Sequence, residues 1–247
     1  MRGITFLFAF VLLFSIMFLL SCGSEEEHLK ISTPRGVELE TILDRPEGSG
    51  KFPAIVIAPG QGYHMRLSLF EKLAEACVQN GFVCLRFDWD FYTKGGEPSS
   101  DFASEKDELS AAIDYLKALD FVDRDEIFIC CKSIGALVGI ELARQDQSLR
   151  GLIILTFALH RARPPCKIWP EARRLEEVKM PLQIVSGKSD PICRVEVLDS
   201  LLNTLPEKPE IVYVAGDHSL RGDTDEETAS NQIAAVEAVI DFMRRNL

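Results

Sequence analysis

Residues 126–145 read Glu-Ile-Phe-Ile-Cys-Cys-Lys-Ser-Ile-Gly-Ala-Leu-Val-Gly-Ile-Glu-Leu-Ala-Arg-Gln. Glu126–Cys130 is a short apolar run of the kind that forms a buried strand, and Gly135–Gln145 continues as a helix. The turn between them is Cys131-Lys132-Ser133-Ile134-Gly135. A tight strand-to-helix turn pushes the serine oxygen out above the sheet edge, where it can act as a nucleophile. Strand and helix nearly touch there, so the residues two before and two after the serine must be small. Gly135 meets that need, and Cys131 meets it with less room to spare. The turn by itself leaves a second reading open, in which Ser133 only caps the helix. Cys131 falls two residues early for a nucleophile and points into the strand–helix junction, so Cys130 and Cys131 read as buried filler.

On either side of this unit, apolar runs alternate with amphipathic stretches. Val37–Leu43 reads as an edge strand, Phe52–Ala58 as a central strand ended by Pro59-Gly60, and Leu67–Asn80 as a helix closed by Gly81. Phe82–Phe87 is a strand and Ser104–Leu119 a long helix. Leu152–Leu155, Leu182–Val185 and Ile211–Val214 are three further strands, and Ile233–Arg244 is a terminal helix. Such alternation predicts the α/β class: a three-layer sandwich with a mostly parallel sheet and helices on both faces. Ligands bind such sheets beyond the carboxyl ends of the strands. No linker divides the chain after residue 30, which predicts one domain over 31–247.

A serine hydroxyl near neutral pH needs a histidine to take its proton, and that histidine needs a carboxylate to hold its tautomer. The chain has four histidines. His28 falls in the expected tether, His64 and His160 follow other strands and could line a site, and His218 follows the last strand in Ala215-Gly216-Asp217-His218-Ser219. From about residue 30 onward, these motifs resemble a small serine hydrolase of the α/β-hydrolase fold, close to the dienelactone-hydrolase-like and acyl-peptidase-like groups. The resemblance implies a nucleophile at Ser133, a general base at His218, and an acid at Asp190 in Gly187-Lys188-Ser189-Asp190-Pro191-Ile192. The three come in the family's chain order, each just past an expected strand end. The main-chain amides of Ile134 and of Gln61, in Pro59-Gly60-Gln61-Gly62, would form the oxyanion hole. Phe87-Asp88-Trp89-Asp90 followed by Gly95-Gly96-Glu97-Pro98-Ser99 resembles the family's F-D-x-R-G-x-G-x-S loop, without its arginine–glycine step. The activity implied is cleavage of an ester, thioester or amide through an acyl-enzyme, with no cofactor. A short-acyl carboxylesterase is the leading reading. A silent binding protein on the same fold and an acyltransferase remain open beside it.

About 26 residues separate the strands at Leu155 and Leu182, too few for a large cap domain, so a small acyl substrate is expected. That insert carries Arg161, Arg163, Lys167, Arg173 and Arg174, which reads as a solvated loop or as an attraction for anionic groups, with Trp169 and Pro170 as a candidate pocket wall. Of 247 residues 47% are hydrophobic, and 27 Lys and Arg stand against 38 Asp and Glu, a net charge of -11. That charge opposes nucleic-acid binding. The seven cysteines (Cys22, Cys77, Cys84, Cys130, Cys131, Cys166, Cys193) show no zinc-ligand spacing, so no metal is expected. Cys166 and Cys193 could pair outside the cytoplasm. Arg2, the apolar run Ile4–Leu20 and Leu19-Leu20-Ser21-Cys22 describe a signal segment over 1–21. The last four residues resemble a bacterial lipobox, which implies a lipid on Cys22 and an anchor outside the cytoplasm, with 22–30 as an acidic tether. An uncleaved signal anchor is the alternative.

Overall fold

The computed structural model describes residues 25–161 and 166–247. The expected signal segment, Cys22 and Arg163 lie outside the described residues. One eight-stranded sheet runs through the described chain. Its strands are β1 (Glu25–Ser32), β2 (Glu38–Arg45), β3 (Phe52–Ala58), β4 (Val83–Phe87), β5 (Val122–Ser133), β6 (Gly151–Phe157), β7 (Leu182–Gly187) and β8 (Glu210–Val214). They lie side by side in the order β1-β2-β4-β3-β5-β6-β7-β8. β1 and β2 join antiparallel, as do β2 and β4, and every other pairing is parallel. The expected three-layer α/β sandwich is therefore what the chain forms.

The continuous apolar runs are explained by burial on both faces. Along β3, Ala54, Val56 and Ala58 enter one core while Ile55 and Ile57 enter the other. Cys131 and Cys130 on β5 divide in the same way. The first core is covered by α3 (Ala103–Ala118), α4 (Ile134–Gln145) and α6 (Val195–Leu202). The second is covered by α1 (Ser68–Gln79) and α7 (Asp225–Arg245). Two short helices, α2 (Asp90–Thr93) and α5 (Pro170–Arg173), sit in crossovers, and a single 3-10 turn over Arg174–Glu177 follows α5. Nothing larger is described between β6 and β7.

Four expectations change. Residues 25–30, read as tether, belong to β1, and the stretch Val37–Leu43 enters the interior strand β2 at Glu38 rather than forming an edge. The apolar signal of β1 is only Leu29 and Ile31, one face of a two-residue period, while Glu26, Glu27 and Lys30 are exposed. Charges on an exposed edge discourage pairing with another chain, and here they hide the strand from a search for apolar runs. The terminal helix starts at Asp225, eight residues before Ile233, because Thr224 and Glu227 form a reciprocal capping box and three acidic residues fill the first turn. Cys166 and Cys193 are both free, and Cys193 is fully buried.

Candidate active site

Ser133 ends β5 at φ 57° and ψ -119°, a conformation that L residues rarely adopt. Close packing imposes it. A Cβ on Gly135 would stand 2.6 Å from the Pro59 carbonyl oxygen and 2.9 Å from that of Ala58. A Cβ on Gly60 would stand 2.6 Å from the Ser133 Cβ. Ser133 is the residue before α4, yet its side chain makes no capping hydrogen bond. Its Oγ instead lies 2.8 Å from His218 Nε2. The helix-cap reading therefore does not describe this hydroxyl.

His218 Nδ1 lies 2.7 Å from Asp190 Oδ2. The Asp190 side chain is wholly buried, and its Oδ1 accepts from the amides of Ile192 at 2.9 Å and Cys193 at 3.1 Å. Three donors thus converge on one carboxylate. Accepting from Nδ1–H, it leaves the Nε2 lone pair facing the serine hydroxyl. Pro191 follows in the turn that brings the two amides round. The loops carrying Asp190 and His218 are laced together: the amides of Lys188 and Ser189 donate to the carbonyls of Val214 and Gly216, both at 2.9 Å. Three side chains from distant parts of the chain form one hydrogen-bonded series at the carboxyl edge of the sheet.

The other histidines are engaged elsewhere. His28 is on β1 beside Glu26 and Arg66, not in a tether. His64 stacks on Tyr92. His160 is buried, with Nδ1 at the Arg161 carbonyl and Nε2 accepting from the Arg194 amide. Among the described residues, no cluster of His, Cys, Asp and Glu could hold a metal ion, and no helix is long and apolar enough to cross a membrane.

The profile of a family described as "Alpha/beta hydrolase domain" matches residues 51–244, which include all three side chains. The chain belongs to the α/β-hydrolase family. It is 33% identical over 122 residues to the quorum-quenching protein AidA of Acinetobacter baumannii, a stretch covering 47% of this chain and 39% of that protein. It is 25% identical over 140 residues to the esterase EstD of Thermotoga maritima, covering 54% of this chain and 30% of that protein. The aligned stretches thus span about a third of the length of these curated relatives. A dienelactone hydrolase from Anabaena variabilis superposes with a TM-score of 0.71 at 18% identity, over 91% of this chain and 99% of that one, which is a likeness of fold.

Within this α/β-hydrolase, the Pro59–Gly62 turn sits against Ser133 through Gly60, placing Gln61 next in line at the rim. Trp89, fully buried, donates Nε1–H to the Pro59 carbonyl at 2.7 Å, and the Asp88 carboxylate accepts from the Met65 amide at 2.7 Å. These contacts brace the β3–α1 loop from the segment after β4, where the family's arginine–glycine step is absent and α2 takes its place. The Gln61 side chain reaches Glu97 of the following loop. Ile134 opens α4, so its amide is among the first-turn donors that have no intrahelical acceptor.

The departure at Cys131 is absorbed one helical turn further on. A Cβ on Gly139 would meet Cys131 Sγ at 2.5 Å, so the missing side chain of the helix makes room for the extra one of the strand. Gly139→Ala alone is expected to lose about 1–3 kcal/mol through overpacking. Cys131→Gly alone is expected to lose about 1–2 kcal/mol through the void and the added chain freedom. The double variant should recover most of both losses, and chemical denaturation of all four proteins measures this coupling. Additive losses would mean that the two positions do not share the space.

The basic insert is partly spoken for. Arg174 makes two hydrogen bonds to Glu141, at 2.8 Å and 3.0 Å, and Arg161 lies 4.9 Å from the centroid of the Trp169 ring. Lys132 is the residue that sequence reasoning passed over. It is fully buried beside Ser133, and its signal was a charge inside an otherwise apolar strand–helix run.

Proposed function

We propose that this protein is a serine hydrolase that cleaves short acyl esters through an acyl-enzyme. The observation that carries the reading is the position of His218, 2.8 Å from Ser133 Oγ on one side and 2.7 Å from Asp190 on the other. On this reading His218 Nε2 takes the hydroxyl proton as Ser133 Oγ attacks the substrate carbonyl. The tetrahedral oxyanion is held by the amides of Gln61 and Ile134. Imidazolium then gives its proton to the departing alcohol, leaving the acyl group on Ser133. A water molecule, deprotonated by the same imidazole, repeats the attack and releases the acid. Asp190 offsets the transient positive charge on the imidazole. Relatives named as an esterase and as a quorum-quenching protein favour a catalytic role over a silent one.

A fluorophosphonate probe tests the reading. Stoichiometric labelling of the purified protein, lost in Ser133→Ala, is the expected result. A folded protein that takes no label would favour the binding protein instead. Products carrying the acyl group on an acceptor other than water would favour the acyltransferase.

The body is further proposed to be held at the outer side of a bacterial membrane by a lipid on Cys22, read from the Leu19–Cys22 motif. Incorporation of an alkynyl fatty acid, absent in Cys22→Ser, is the expected outcome. Equal membrane recovery of the unlabelled variant would point to an uncleaved anchor.

A further inference from the structure

Lys132 stands between Cys131 and Ser133 and is 1% exposed. Its Nζ donates to the His218 carbonyl at 2.8 Å and to Thr156 Oγ1, and it lies 4.5 Å from the centroid of the Tyr63 ring. A carbonyl, a hydroxyl and a π face thus receive the three N–H groups of one ammonium. The three partners come from different places: the β8–α7 loop, the end of β6, and the β3–α1 loop. Tyr63 in turn shares a 2.7 Å hydrogen bond with Ser219, the neighbour of His218. Thr156 is a β-branched residue at φ 45°, an outlier of the kind that surrounding structure must enforce.

No carboxylate among the described residues pairs with this ammonium. Burial pushes Lys132 down to about 7, against the opposing pull of Asp190, Asp217 and Cys130. An unpaired buried charge is costly, and an apolar side chain of similar length would fill the same space. We propose that Lys132 is a positioning residue, whose ammonium fastens the main chain of His218 to the ends of β5 and β6 so that the imidazole stays within reach of Ser133. The inference rests on the serine-hydrolase reading and adds to it a part which that reading does not require.

The proton on Lys132 matters to this task. The ammonium has three N–H groups for three acceptors, whereas the neutral amine has two and turns a lone pair toward the third. The titratable groups facing it are Cys130 on its own strand, Asp190 from the β7–α6 loop, Asp217 and His218 from the β8–α7 loop, and Tyr63 from the β3–α1 loop. The expected rate falls on the alkaline side as Lys132 loses its proton and the histidine loop slackens.

The test compares wild type, Lys132→Met, Lys132→Gln and Thr156→Val, with nitrophenyl butyrate as substrate and the fluorophosphonate as a second readout. Lys132→Met is expected to lose about 10- to 100-fold in kcat with KM within about twofold, and to lack the alkaline fall. Its melting temperature at about pH 6 should equal or exceed that of wild type, because the costly buried charge is gone. Lys132→Gln keeps one N–H for the His218 carbonyl and should fall between the two in kcat, again without the alkaline fall. Thr156→Val keeps the lysine but removes one acceptor, so its alkaline fall should move to lower pH. This variant keeps the question answerable if Lys132→Met does not fold. Wild-type kcat and an unchanged alkaline limb in folded Lys132→Met, or an unmoved limb in Thr156→Val, would overturn the proposal. These comparisons are made on wild type that labels at Ser133, so a wild type that does not label speaks against the hydrolase reading and not against this one.

Discussion

His218→Ala is expected to lower kcat/KM toward a short-chain nitrophenyl ester by about 10⁴- to 10⁶-fold. The serine hydroxyl is a weak nucleophile without a base, and among the described histidines only His218 reaches it. What rate remains should come from the amides at Gln61 and Ile134 and from substrate binding. Stability should change far less. His218 is partly exposed in a loop, and Asp190 keeps its two amide donors after the imidazole is gone. Losing one partner of a buried carboxylate costs about 1–3 kcal/mol, a fall of several degrees in melting temperature for a domain of this size. Steady-state kinetics and thermal unfolding on one preparation check both halves. A loss under about tenfold would place the base elsewhere, since mutations of a positioned general base cost far more than that.

Gly187→Ala should damage the same site from a distance and unsettle the fold as well. Gly187 ends β7, and a Cβ there would stand 2.4 Å from the Asp217 carbonyl oxygen and 2.6 Å from that of Gly216. Both obstacles are main chain, so no rotamer change relieves them. The loop bearing His218 must then move off the loop bearing Asp190. The expected cost is about 2–4 kcal/mol in stability, in line with overpacked cores. A displacement near 1 Å between base and nucleophile is enough for a loss of about 100-fold in kcat. Denaturation curves and kcat measured below the transition test this together. A variant with native stability and turnover would mean that the two loops are not wedged at Gly187.

Much of this architecture was open to inspection in the amino acids. Phe52–Ala58 and Glu126–Cys130 announce themselves because a strand buried on both faces must be apolar at every position. Ser133, Asp190 and His218 could be picked out because their motifs resemble those of a serine hydrolase and each falls after a strand end, where parallel sheets place function. Other features were hidden for equally physical reasons. β1 is an edge strand whose solvent face is charged, so its two inward residues resemble a polar leader. The first turns of α7 are polar because they are capped rather than packed, and only the Thr224–Glu227 pair marks them. Cys131 fits the turn because Gly139 stands opposite it, a match between two elements that neither stretch reveals alone.

Residue order is enough to read the strand–helix alternation, the parallel sheet that alternation requires, and the short list of groups able to do acyl chemistry. Those depend on local periodicity and on the kind of atoms each side chain carries, both of which are written residue by residue. Only the folded arrangement settles which hydroxyl, ring and carboxylate meet, why a side chain at Gly187 or Gly139 collides, and what a buried lysine beside the serine holds on to. Each of these depends on distances between segments far apart along the chain, and such distances exist only once the sheet has closed its order and the loops at its carboxyl edge have packed against one another.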